Sequence, residues 1–229
     1  MKTYLLSLWR LLFPALCVAC KRPLVETEQA VCLCCLHAMP RTFYASVSDN
    51  PVEQLFWGKV HLTKAMAWCY FVKGNILQTL LHALKYHHNP QIGVLLGRQM
   101  ALENLDWFKH IDLLVPIPLH AQRLRDRGYN QAACIAQGIA QVTKIPVCEA
   151  VLKRKVFTQT QTHKRVYERW QNMEDVFECQ PLYPLQGKHV LLVDDVITTG
   201  ATLASAVMAL QQEKCEVMIS VATVAVASS

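Results

Sequence analysis

The chain has 229 residues, 52% of them hydrophobic and 17% charged, with a formal net charge of +6. This composition excludes a disordered chain, and the absence of any run of 18 or more apolar residues argues against a transmembrane helix. The length admits one full α/β domain with its own core plus a small appendage, and the basic excess is compatible with anionic partners without requiring them.

The first segment, MKTYLLSLWRLLFPALC, does not read as a secretory signal. Arg10 interrupts its apolar stretch, no small-x-small cleavage site follows, and a leucine precedes Cys17 where a lipoprotein signal needs a small residue. It reads as a short amphipathic helix with Leu5, Leu8, Leu12 and Leu16 on one face. The expected location is the reducing cytoplasm.

Ten cysteines amount to about 4% of the chain, below the density of a disulfide scaffold. Five lie between Cys17 and Cys35. Cys17-x-x-Cys20 and Cys32-x-x-Cys35 are two knuckles that together supply the four thiolates of a tetrahedral zinc site. Cys34 is a spare that can stand in for Cys32 or Cys35, and His37 is a weaker substitute. The competing reading is a group of buried or redox-active thiols. Four thiolates leave no open position, so such a zinc is structural. Residues 1–45 are therefore taken as a zinc-ribbon head and 46–229 as the main domain. Within it, 46–64 reads as a linker or loosely structured bridge. Cys69, Cys134, Cys148, Cys179 and Cys215 fall in apolar stretches and read as packing residues.

Residues 65–72 predict a strand, ended at Gly74-Asn75. A helix follows over Asn75–Tyr86, with Asn75 as N-cap and Ile76, Leu77, Leu80, Leu81 and Leu84 on one face. A second helix covers 91–105. From residue 112 the order is strand (112–118), helix (130–143), strand (147–154), a polar basic loop (155–175), strand (189–196), helix (202–214) and strand (216–227). The strands are continuous apolar runs, which predicts an α/β fold with a parallel sheet covered by helices on both faces.

The segment VLLVDDVITTGAT (190–202) ends an apolar strand in two adjacent acids. Ligands of open α/β sheets bind beyond the carboxyl ends of the strands. Thr198, Thr199, Gly200, Ala201 and Thr202 sit between strand and helix, where small residues, hydroxyls and a helix N-terminus suit one phosphate group. Asp194 and Asp195 would repel that phosphate unless something lies between. A ribose does this, donating its 2′ and 3′ hydroxyls to the acids. A magnesium-holding Walker B strand would need a G-x-x-x-x-G-K-[ST] partner, which this sequence lacks. Helix capping is the bland alternative, and it accounts for one acid only.

That segment resembles the ribose-phosphate signature of the type I phosphoribosyltransferases. Further segments, CVACKRPL…VCLCC, ALKYHHN, VPIPLHAQRLRDRGYNQA and QTHKRVYERWQNMEDVF, resemble the ComF family, which is linked to competence for DNA uptake in bacteria. The resemblance covers nearly the whole chain. It implies a type I phosphoribosyltransferase-like domain that binds 5-phosphoribosyl-1-pyrophosphate with magnesium. By that resemblance Asp194 and Asp195 hold the ribose hydroxyls and residues 198–202 the 5′-phosphate. Pro116, Ile117 and Pro118 take the place of the pyrophosphate loop.

Pyrophosphate needs positive charge, and Arg123, Arg125 and Arg127 are near in sequence. Spaced two apart they cannot share a helical face, so they suit an irregular loop; the other reading is an exposed, solvated turn. Lys153, Arg154, Lys155, Lys164, Arg165 and Arg169 belong to a basic stretch that can fold over a phosphate, touch a nucleic-acid backbone or remain a solvated loop. Trp170 within it is more a packing residue than a base-stacking one. The roles of Lys85 and Tyr86 are not derivable. The function expected is that of a competence protein handling incoming single-stranded DNA, directly or with DNA-processing proteins. The alternative is an active transferase passing ribose 5-phosphate to an unidentified nitrogen acceptor.

Overall fold

The computed structural model describes residues 14–155, 176–180, 184–212 and 216–227. The expected amino-terminal amphipathic helix, the cations Lys164, Arg165 and Arg169, Trp170 and Cys215 lie outside the described residues. The helices are α1 (Leu33–His37), α2 (Pro51–Gln54), α3 (Ile76–Tyr86), α4 (Pro90–Glu103), α5 (Ala121–Arg127), α6 (Gln131–Thr143) and α7 (Ala201–Gln211). The strands are β1 (Lys64–Phe71), β2 (Leu113–Pro116), β3 (Leu152–Arg154), β4 (Phe177–Cys179), β5 (His189–Ile197) and β6 (Met218–Ala227). Among the described residues no helix is long and apolar enough to cross a membrane.

Four strands form one sheet in the order β1-β6-β5-β2, with every pairing parallel. The predicted α/β architecture with a parallel sheet is thus present. Apolar cores lie on both faces, which is why the strands read as unbroken apolar runs. One face packs against α3, α4 and α6 through Leu77, Leu84, Leu96 and Ile135; the other packs against α2 and α7 through Phe56, Leu203 and Val207. Asn75 caps α3, its side chain accepting from Gln78 N at 2.9 Å. Both sheet edges are covered by backbone. Residues 40–42 pair along β1, with Tyr70 N donating to Pro40 O at 2.8 Å, and residues 146–148 flank β2, with Leu114 N donating to Pro146 O at 2.9 Å. Covering of this kind blunts an edge as a template for pairing with another chain.

Three sequence expectations are corrected. The segment 46–64 is not a loose bridge. It carries α2, capped by the buried Asn50, whose amide accepts from Val52 N and donates to Ala65 O at 2.9 Å. The segment 147–154 is not one strand of the parallel sheet: Val147 makes a single parallel bridge to Leu114, and the chain then turns away so that β3 pairs antiparallel with β4. Arg123, Arg125 and Arg127 lie on a helix, α5, and not on an irregular loop.

Candidate functional site

β5 carries the two acids at its carboxyl end. Successive residues of a strand face opposite sides of the sheet. Val190 and Leu192 belong to the core under α7, and Leu191 and Val193 to the core under α3, α4 and α6. The same alternation sends Asp194 toward α7 and Asp195 toward α3. Asp194 lines a small hollow with residues 196–203, about 50 Å³ in volume. Ligand pockets usually exceed about 300 Å³, so this hollow fits one phosphate-sized group and not a whole ligand. Thr198, Thr199 and Thr202 are exposed around it. The N-cap of α7 is Gly200, at φ 75°, which gives the first-turn amides no cap of its own; Ala201 N donates instead to Thr199 Oγ1 at 3.4 Å. Those amides have no intrahelical partner and point outward with the positive end of the helix dipole. Neither aspartate caps α7, which removes the capping explanation for them. A Cβ at Gly200 would lie 3.4 Å from Leu55 Cβ and 3.5 Å from Phe56 carbons, so the segment after α2 forms the wall behind the turn.

Asp194 accepts the Asp195 N–H at 2.8 Å. Its carboxyl is pushed up to about 7, by burial first and then by the neighbouring Asp195 charge. Asp195 is 5% exposed. Lys85 Nζ, at the end of α3, stands 2.8 Å from Asp195 Oδ2 but not along a hydrogen-bonding direction. Breaking a buried pair by removing one partner costs about 3–5 kcal/mol, so Lys85 balances a charge that the sheet alone could not hold. Lys85 also lines a wider crevice of about 350 Å³ with Tyr86, His88, Arg123, Asp126 and Arg127. On the other flank Arg154, half-buried over the Phe177 ring, has its pKa lowered by burial and by Arg123, while the Asp194 charge opposes that shift.

The RGYNQA segment explains how β2's loop is held. Arg127 donates to Gln131 Oε1 at 2.7 Å and lies 5.5 Å from the Tyr86 ring. The Tyr129 hydroxyl donates to Leu84 O. Asn130 caps α6 by accepting from Ala132 N, and donates to Ile117 O at 3.0 Å. Pro116 and Ile117 are buried and Pro118 is half-buried, so the loop is fixed from beneath.

Residues 83–229 match the phosphoribosyl transferase domain family. The chain belongs to that family. It is also similar to the DNA utilization protein YhgH of Salmonella typhimurium, 29% identical over 203 residues, covering 83% of this chain and 88% of that protein. Competence protein F of Haemophilus influenzae is 33% identical over 135 residues, 56% of this chain and 58% of that one. Competence protein ComFC of Bacillus subtilis is 34% identical over 95 residues, 42% and 36% of the two chains. The chain is thus a ComF- and YhgH-like phosphoribosyl transferase domain protein with a four-cysteine cluster toward its amino end.

In this family member, the cluster is formed by Cys17, Cys20, Cys32 and Cys35, whose sulfurs all lie within 4.8 Å of one another. Cys20 Sγ and Cys32 Sγ are 3.7 Å apart. Tetrahedral zinc with Zn–S bonds of about 2.3 Å needs sulfurs roughly 3.8 Å apart, so the donor set fits a structural zinc. The Arg22 backbone N–H holds the Cys20 thiol down to about 6, while burial pushes the Cys35 thiol up. Cys34 is exposed and is not among the four clustered sulfurs.

Sequence reasoning named the acids, the phosphate turn and the loop after β2, and the structure brings these to one end of the sheet. It missed Lys85. The only signal available was its place in the ALKYHHN segment, one residue before the end of a predicted helix, with no periodic reason for a cation there.

Proposed function

We propose that this protein binds 5-phosphoribosyl-1-pyrophosphate at the carboxyl end of β5 and acts in the cytoplasm in the handling of DNA. One observation carries the ligand reading: a phosphate-sized hollow with helix-start amides and threonine hydroxyls shares a single strand-to-helix turn with Asp194. The 5′-phosphate would accept from the amides of residues 199–202 and the hydroxyls of Thr198, Thr199 and Thr202, with Gly200 and Ala201 letting it approach. The ribose diol would donate to Asp194 and Asp195. The pyrophosphate would lie toward Pro116, Ile117, Pro118 and Arg127. Magnesium, when bound with this donor, would offset charge on the pyrophosphate.

The DNA reading draws on the relatives, one called a DNA utilization protein and another a competence protein. The net charge of +6 suits a phosphate-backbone partner, foremost single-stranded DNA. Transfer to a nitrogen acceptor is the second reading, supported by the cations Arg123 and Arg127 on the leaving-group side. Release of pyrophosphate on adding candidate acceptors separates it from binding alone.

Calorimetry with the donor and magnesium, and with a single-stranded oligonucleotide over a range of salt, tests the proposal. The wild type should bind both, the oligonucleotide more weakly as salt rises. Asp194→Asn with Asp195→Asn should lose the donor and keep the fold. A wild type that binds no donor contradicts the ligand reading.

A further inference from the structure

Lys85 stands where two sites meet. It is on the α3 side of β5, away from the turn at 198–202; its ammonium touches Asp195, and the residue also lines the α3–α5 crevice. Its contact with Asp195 Oδ2 is close but poorly directed, and among the described residues that buried oxygen has no hydrogen-bond donor. The pair is held by charge and not by a locked geometry. A lysine has a flexible four-carbon stem and three rotatable donors, so it can exchange one anion for another without moving the backbone.

The crevice beside it has positive charge to spare. Arg123 and Arg127 line it from α5, His88 from the turn after α3, and Arg154 stands close enough to Arg123 for the two charges to oppose each other. Asp126, the one acid lining it among the described residues, accepts from Gln122 Nε2 at 2.9 Å. The Arg127 guanidinium is held by Gln131 and by the Tyr86 face. Cations facing one another across a cleft this size are stabilised by a multivalent anion more than by any single carboxylate.

We propose that Lys85 is an exchange residue. It neutralises Asp195 until a phosphoribosyl donor binds; it then yields Asp195 to the ribose diol and pairs with the donor's pyrophosphate in the α3–α5 crevice. This rests on the phosphoribosyl reading given above and adds a source of ligand discrimination. Ribose 5-phosphate must displace Lys85 from Asp195 and offers it no new anion. The pyrophosphate-bearing donor returns one.

Calorimetric titration of ribose 5-phosphate and of 5-phosphoribosyl-1-pyrophosphate with magnesium, into wild type, Lys85→Met and Lys85→Arg, tests the exchange. The wild type should prefer the donor. Lys85→Met should weaken the donor by roughly 10- to 100-fold, the scale of one charge-assisted hydrogen bond, while ribose 5-phosphate binds as well as before or better. Lys85→Arg should keep most of the preference. Equal losses for both ligands, or none for either, would make Lys85 only a partner of Asp195 and overturn the exchange. A wild type that binds neither ligand defeats the phosphoribosyl reading itself, a separate and recognisable outcome. If thermal melts show Lys85→Met unfolded, Lys85→Gln, which keeps a donor beside Asp195 without the charge, takes its place. The proposal then requires that the preference still disappear.

Discussion

Asp194 and Asp195 are neighbours in sequence and opposites in space. Strand alternation gives one to the turn at residues 198–202 and the other to Lys85. Asp194, pushed up to about 7 by burial and by Asp195, keeps its proton in the folded state over a pH range where the unfolded chain has released it. Folding stability from this group therefore falls as pH rises from the ordinary aspartate range through about 7, and levels off above. Urea unfolding between pH 5 and 8 should show that slope in the wild type and a flatter one in Asp194→Asn. A ligand hydroxyl donating to the ionised carboxylate should bind more tightly as pH rises through the same window. His189 behaves in the opposite sense: burial first, then Lys64, lowers its pKa, and its ring pairs with Ser220 Oγ at 2.8 Å. Stability from that imidazole is lost as pH falls below its ordinary value. The acids and threonines were legible because adjacent charges at a strand end have few structural uses. Lys85 was not, because a single lysine near a helix terminus is the commonest of surface residues.

Among the elements, the α4–α6 contact is the most exacting. A Cβ at Gly97 would lie 2.0 Å from Ile135 O, and one at Gly138 would lie 2.1 Å from Val94 O. The two helices meet backbone to backbone, and this contact sets the depth at which α6 sits on β2 and β5. Overpacking of this kind costs about 1–3 kcal/mol when side chains can yield. Backbone atoms yield less, so Gly97→Ala and Gly138→Ala should each reach the upper end of that range in urea unfolding. Helix and strand periods made α3, α4, α6, α7 and the four sheet strands readable to within a few residues. The misses share a cause. α5 has no buried face, so no apolar stripe announced it, and the polar 46–64 segment folds through Asn50, a buried amide that composition alone marks as loop. The turn of the chain after Val147 depends on β4, a distant partner that no local pattern encodes.

Across the whole molecule the cysteine head and the sheet are joined in one core. Cys17, Val31, Cys32, Cys35, Leu36 and Met39 belong to the same buried cluster as Met66, Trp68 and Leu77. Arg41 clamps this junction. Its guanidinium donates to both oxygens of Glu103 at 2.7 Å and stacks on Trp68, whose indole N–H donates to the same carboxylate. Metal loss should therefore weaken the sheet domain as well as the head. The purified chain should hold one zinc, lose it in Cys35→Ser and keep it in Cys34→Ser, as read by metal analysis. Chelation should lower the Tm by roughly 5–10 °C, given about 2–4 °C per kcal/mol for a chain of this size. The paired C-x-x-C knuckles made the metal donors legible; the shared core was not, because the contacts that build it come from α3, β1 and α4, far along the chain.

The central claim is that a pentose phosphate docks where β5 gives way to α7, and amide chemical shifts test it most directly. Titrating ribose 5-phosphate into ¹⁵N-labelled protein should move the signals of Thr198, Thr199, Gly200, Ala201 and Thr202 first and furthest, with Asp194 and Asp195 following. Unmoved signals at that turn at saturating ligand, or shifts confined to another surface, would contradict it.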